Sequence, residues 1–183
     1  MICPVCDYDN LPGSDQCEEC LVDLRQEDIP QPGNEVQRSI MEDPISVLSP
    51  RVPISMSETS SLGEVVGVMK EENIGAMLVV DEKGALRGIF SERDLIGRVI
   101  GKVESVESTP VSEVMTPMPE CRKLTDTLAY AIHSMYVGNY RHIPIVDKAH
   151  KPVGIVALSD IINFMESNFR DIVTRRFERP RGT

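Results

Sequence analysis

The chain has 183 residues, 41% of them apolar, with no Trp and only four Phe and four Tyr, so any core must be built from Val, Ile, Leu and Met. That length accommodates one ordinary domain and a small appendage. No run reaches the apolar length that crosses a bilayer, and the opening Met-Ile-Cys lacks the basic and apolar stretches of a secretory leader, so a cytoplasmic, reducing location is expected. The net charge of −10 is unevenly placed: residues 1–50 carry eleven acids and two bases, the remainder eighteen acids and seventeen bases. An acidic N-terminal part argues against phosphate contacts there, and nucleic acid is not an expected partner.

Four cysteines come first, in two pairs, Cys3-Pro-Val-Cys6 and Cys17-Glu-Glu-Cys20. Two C-x-x-C hairpins supply four thiolates, enough to close a tetrahedral Zn²⁺ site with no open position. Iron and redox-active thiols are the alternatives. Asn10, Pro12 and Gly13 mark the turn between the pairs. Residues 1–24 resemble a short zinc ribbon, in which the metal must hold the fold because so few residues form almost no core. No nucleophile or general base further along the chain suits such a metal, so it is expected to be structural. The acids of the ribbon either dock a protein partner or simply solubilise the module. Residues 25–50 read as an acidic, Pro-containing linker with a short helix over Asn34–Glu42, capped by Asn34 and stopped by Pro44.

From about residue 51 the chain repeats itself at a period of 66 residues. Nine of 35 positions are identical between Leu62–Ile96 and Leu128–Ile162, among them Asn73/Asn139, Asp81/Asp147, Gly88/Gly154 and Asp94/Asp160. Two copies suggest a unit in which each covers the other's apolar face. Each copy has the order β-α-β-β-α. An extended piece (Arg51–Met56; Met118–Lys123) precedes an amphipathic helix with apolar residues at i, i+3, i+4 and i+7: Leu62, Val65, Val66, Met69, then Leu128, Ala131, Ile132, Met135. Asn73 and Asn139 end the helices. Strands Ala76–Val80 and His142–Val146 follow, then turns at Asp81–Gly84 and Asp147–Lys151, second strands Leu86–Phe90 and Pro152–Val156, and last helices from Ser91 and Leu158. Cys121 and the methionines, Met118 included, read as core or interface. Residues 171–183 form a basic tail.

The segment Gly88-Ile-Phe-Ser91-Glu-Arg-Asp94 ends a strand with a hydroxyl and sets a carboxylate three residues on. Ser-x-x-Asp is a helix-capping pattern. The same geometry could place amides against phosphate and Asp94 against vicinal ribose hydroxyls. Together with Arg141-His-Ile-Pro-Ile-Val-Asp147, these residues resemble a tandem pair of cystathionine-β-synthase (CBS) domains, over residues 51–166. The resemblance implies an α+β fold of two β-α-β-β-α repeats, 51–107 and 108–170, packed with pseudo-twofold symmetry and commonly paired into a homodimer. It also implies a non-catalytic sensor that binds an adenosine-containing ligand of the AMP/ADP/ATP class between the repeats.

Carried over by position, Asp94 would bind ribose, and Ser91 with the following amides would meet phosphate. Ile54, Gly75 and Ala76 would line the base, while Arg141 and His142 would reach phosphate across the interface, with Arg93 adding charge. In the second cleft Ala157 stands where a hydroxyl is expected, leaving Asp160 and Ser159. The expected whole is a regulator relaying ligand occupancy to an unknown protein partner, with the ribbon as docking module. A nucleic-acid-binding regulator and a ligand-free oligomerisation module are the rivals. A catalytic barrel beside the pair would need a longer chain, so an enzyme is not expected.

Overall fold

The computed structural model describes residues 3, 5, 6, 8–11, 14–22, 24 and 32–175, the last five by backbone alone. Pro12, Gly13, residues 25–31 of the expected linker and the tail beyond Arg175 lie outside the described residues. Contacts divide the chain into two compact units, Met1–Asn34 and Glu35–Thr183. In the first, two knuckles are closed by backbone bonds: Cys3 N–H donates to Tyr8 O (2.9 Å) and Cys17 N–H to Val22 O (2.8 Å).

The second unit is mixed α+β. In chain order it contains α1 (Glu35–Glu42), β1 (Ser55–Ser57), α2 (Leu62–Glu71), β2 (Ala76–Val80), β3 (Leu86–Ser91) and the single turn α3 (Glu92–Asp94), then β4 (Thr116–Pro117), α4 (Leu128–Gly138), β5 (His142–Val146), β6 (Pro152–Ala157) and α5 (Leu158–Arg175). Ser61 caps α2 with a full capping box to Glu64, and Thr127 caps α4. Asn73 and Asn139 take the left-handed conformation, φ 52° and 51°, where Asn is tolerated. Asp81 shapes the β2–β3 turn by accepting from the Lys83 and Ala85 amides. Asp147 does the same for Ala149 and Lys151.

Strands β2 and β5 are buried almost throughout. Met77 and Val79 enter one core with Leu62, Val65, Met69 and Phe90. Ile143, Ile145 and Val156 enter the other with Leu128, Ala131 and Met135. The opposite face of β2, Ala76 and Leu78, joins Leu86 and Ile89 against Cys121, Val146 and Ile155, which seals the two repeats together.

The pairing obeys the 66-residue period. Strand β1 runs parallel to β2 with Met56 opposite Val79, and Arg122 pairs in parallel with Ile145. The period also extends upstream of residue 51, which corrects the expected linker. Ser61 bridges Pro110, and Thr127 bridges Pro44. Val111, in the 3-10 turn Val111–Glu113, is buried in the core of repeat one, whereas Ile45, in the 3-10 turn Ile45–Leu48, is buried in the core of repeat two. Each repeat's lead-in therefore packs on the other repeat. Thr116–Pro117 lies antiparallel to β3, and Arg51 to Ile155 of β6. The signal was present as Pro44-Ile-Ser46 recurring at Pro110-Val-Ser112. It was hidden because Pro and acidic neighbours resemble a linker.

Two other expectations change. The last helix of repeat one is not regular: α3 passes into a π-helical turn at Leu95–Val99, in a stretch where Gly97 and Gly101 remove helix preference. Met118 is not core; it is 84% exposed, with φ 44°.

Candidate ligand site and candidate metal centre

The exchange of lead-ins builds a cavity of about 380 Å³ between the repeats, within the range of small-molecule sites. Ser91, Asp94 and Thr116 stand together in its lining, Met118 and Glu120 continue it, and Arg141 and His142 come from the start of β5. Gly75, Arg93 and Arg98 complete the circuit. Ile54 and Ala76, expected at the base, do not line it. The residue 66 positions after Ile54 is Glu120, which does: the Asp94 wall faces the lead-in of repeat two, not that of its own repeat. Strand pairing compels this, because β4 lies beside β3 and delivers residues 118–120 next to Asp94.

Asp94 is 8% exposed. Its Oδ2 accepts from Ser91 N–H (2.9 Å) and Ser91 Oγ–H (2.7 Å). Its Oδ1 accepts from Thr116 Oγ1 at 3.3 Å and faces Arg98 Nε at 3.4 Å. The capping geometry is thus present, and the cavity opens onto the same carboxylate. The expected phosphate donors fare differently. The Ser91 amide and hydroxyl are committed to Asp94, and the Glu92 amide donates to Gly75 O (3.2 Å). Arg93 donates across the repeats to the carbonyl of Asn139, the C-cap of α4, where a cation also meets the negative end of the helix.

His142 is half-buried beside Gly75, so that a Cβ built on Gly75 would lie 3.4 Å from its Cε1 and 3.7 Å from Glu92 Oε2. Burial holds the imidazole below its ordinary pKa, opposed by the carboxylates of Asp160 and Glu92 and reinforced by Arg141. Also in the lining, Tyr140 donates to Glu120. That bond and the Arg122 guanidinium hold the Glu120 carboxyl below the usual range, against its partial burial. Burial and the same carboxylate push the Tyr140 hydroxyl up to about 12.

Asp160 accepts from Ala157 N–H at 2.8 Å, repeating the Asp94 geometry without the hydroxyl. It lines a second cavity of about 360 Å³ with Leu48, Ser49, Arg51, Asn163 and Phe164. Ser159 is exposed and lines neither cavity. Among the residues that sequence reasoning missed at the main cavity are Arg98, Thr116, Met118, Glu120 and Tyr140. The first sits in the irregular π turn, and Thr116, Met118 and Glu120 come beside Asp94 through the exchanged pairing.

In the first unit, the sulfur atoms of Cys3, Cys6, Cys17 and Cys20 all lie within 4.8 Å of one another. The Cys3–Cys20 and Cys6–Cys17 Sγ separations are 3.6 and 3.5 Å. A tetrahedron with Zn–S bonds of about 2.3 Å has edges of about 3.8 Å, so the donor set fits that ion. Val5 N–H donates to Cys3 Sγ (3.4 Å) and the buried Asn10 amide to Cys17 Sγ (3.5 Å). Asn10 is itself fixed by accepting from Glu18 N–H (2.9 Å). Burial raises the Cys17 pKa, but the amides of Cys20 and Glu19 and the Asn10 side chain outweigh it and bring the thiol down to about 6.

Two exchanged repeats around a shared cavity define a paired-repeat module, and the comparisons agree on that fold. The CBS-domain family model matches residues 38–101 and 111–167, more than half of the chain, and this chain belongs to the CBS-domain family. Its relatives include the CBS domain-containing proteins CBSCBSPB5 of Arabidopsis thaliana, 35% identical over 109 residues, and YhcV of Bacillus subtilis, 35% identical over 114 residues. The first match covers 59% of this chain and only 19% of the plant protein; the second covers 62% of this chain and 79% of YhcV. The solved structure of the CBS domain protein PAE2072 from Pyrobaculum aerophilum, complexed with AMP, superposes with a TM-score of 0.62 at 23% identity, covering 72% of this chain and 98% of that one. That similarity concerns the fold. Among the described residues no helix is long and apolar enough to cross a membrane.

Proposed function

We propose that the chain is a non-catalytic regulatory protein of the cytoplasm that takes an adenosine-containing ligand of the AMP/ADP/ATP class in the cavity at Asp94. The carrying observation is a buried carboxylate opening onto a nucleotide-sized space that Arg141 and His142 also line. A carboxylate suits a ribose diol, and Arg141 with His142 suits phosphate. Ile89, Met118 and Pro119 offer apolar surface to a purine. PAE2072, a family member by its printed description, is described in complex with AMP, which supports this class. Ligand bridging the repeats favours one orientation of them, to the extent that it binds the two orientations differently, and a homodimer relays the change to a protein partner. The four cysteines hold structural zinc, and the ribbon serves as the docking module.

Calorimetric titration with AMP, ATP, NADH and S-adenosylmethionine tests this. AMP-class binding is expected, weakened about tenfold or more by Asp94→Ala, as loss of a charged hydrogen-bond acceptor implies. Unchanged affinity in the variant removes Asp94 from the site. The Ser91–Asp94 hydrogen bonds, half of a capping box, favour a second reading, a ligand-free assembly module, which the absence of binding by all four compounds would support.

A further inference from the structure

We propose that Arg98 is an internal competitor for the ligand-binding carboxylate, so that a diol binds Asp94 by displacing the Arg98 guanidinium. This rests on the cavity binding a ribose-containing ligand. An ionised carboxylate has about four lone-pair positions; three hydrogen bonds reach Asp94, and its Oδ1 also faces the Arg98 guanidinium in an ion pair. The two on Oδ2 are short, at 2.9 and 2.7 Å, and belong to the residue that caps the same turn. The two on Oδ1 are long, at 3.3 Å to Thr116 and 3.4 Å to Arg98. Entering hydroxyls therefore replace the Oδ1 partners and leave Ser91 in place.

Arg98 can yield because it is anchored elsewhere. Its Nη1 donates to the carbonyls of Val114 (3.1 Å) and Met115 (2.6 Å), in the joint just before β4. The side chain is 46% exposed, so its released Nε–H meets water. Ligand occupancy at Asp94 and the Asp94–Arg98–joint brace are mutually exclusive.

The test uses the full chain and adenosine, which carries no phosphate for Arg98 to attract. R98Q keeps an amide N–H for the two carbonyls and removes the charge facing Asp94. It is expected to bind adenosine about threefold more tightly than the wild type, in keeping with a half-exposed ion pair. Wild-type affinity for adenosine is expected to rise from low to high salt as the pair is screened, and that of R98Q to stay flat. R98M, which carries neither charge nor donor, is expected to tighten binding in the same direction and serves where R98Q folds poorly. Weaker or unchanged adenosine binding in both variants, or equal salt dependence in wild type and R98Q, overturns the role of Arg98 alone. Failure of the wild type and both variants to bind adenosine or AMP overturns the assignment of the cavity, and the competitor with it.

Discussion

Arg122 and Glu120 should respond to mutation in opposite measure. Arg122 is 8% exposed and its guanidinium lies 3.9 Å from the Tyr130 ring centre. It donates to Cys121 O (2.8 Å), Glu120 and Ser134, while its buried Nε has no hydrogen-bond partner among the described residues. Glu120, its counter-ion, is 46% exposed. Removing the acid (Glu120→Ala) strands a buried cation and takes the acceptor from Tyr140. Breaking a fully buried pair costs about 3–5 kcal/mol; with one partner half in water, about 2 kcal/mol is expected. Removing the cation (Arg122→Met) loses a charge-assisted bond of about 1.5–3 kcal/mol and a cation–π contact of about 0.5–1 kcal/mol. It also relieves an orphan N–H worth about 1–3 kcal/mol, and leaves an acid that water can solvate. Met56, the residue 66 positions earlier, is half-buried against the core of repeat one, so that setting accommodates a methionine. Arg122→Met should therefore lie within about 1 kcal/mol of wild type, and Glu120→Ala below it by ~3–6 °C in Tm. Urea unfolding and thermal melts followed by circular dichroism measure both. A Met variant less stable than the Ala variant would refute the argument.

Other outcomes follow from the same geometry. Protein purified without chelator should contain one zinc per chain, and chelation should expose the four ribbon thiols to a thiol reagent while leaving the melting of residues 35–175 in place; no metal by elemental analysis would count against the ribbon. Because burial lowers the folded-state pKa of His142, the unfolded chain binds the extra proton first, so stability should fall as pH drops through the unfolded value of about 6.5. His142→Gln should flatten that slope in a Tm-versus-pH series. A Cβ on Gly88 would sit 2.2 Å from Met115 Sδ, and one on Gly154 2.9 Å from Pro50 Cβ, so Ala at either should cost about 1–3 kcal/mol. Gly67, inside α2 with nothing within 4 Å of its Cβ position, should instead gain about 0.5–1 kcal/mol as Ala, and thermal melts of the three variants check the contrast.

Much of this was legible in the chain. The 66-residue period, the strands Ala76–Val80 and His142–Val146, the left-handed Asn73 and Asn139, and the cysteine cluster all follow from local patterns: periodicity, turn chemistry and ligand spacing. Asp94, Arg141 and His142 line one cavity. Pairing across repeats was not legible, because self-similarity is the same whether a lead-in packs on its own copy or on the other. Ile54 was accordingly assigned to the cavity that its counterpart Glu120 occupies, and Ile45 was lost in a linker. The amides after Ser91 were expected to be available, but only the folded geometry shows that the Glu92 amide donates to Gly75 O. Arg98 was missed although it stands four residues after Asp94, the ordinary spacing of a helical ion pair; its anchorage to the Val114 and Met115 carbonyls had no local signal.

The crossed lead-ins bear on how such a chain can be cut and how it arose. Severing it between residues 107 and 108 would separate Ile45 from the core it fills and Val111 from the other, so each fragment would carry a plug for its sibling and a hole of its own. A lone ancestral half of this design would satisfy both only by clasping a second molecule of itself. Gene duplication would then have tethered an embrace that was already symmetrical, leaving the two grooves free to differ, as Ser91 and Ala157 do.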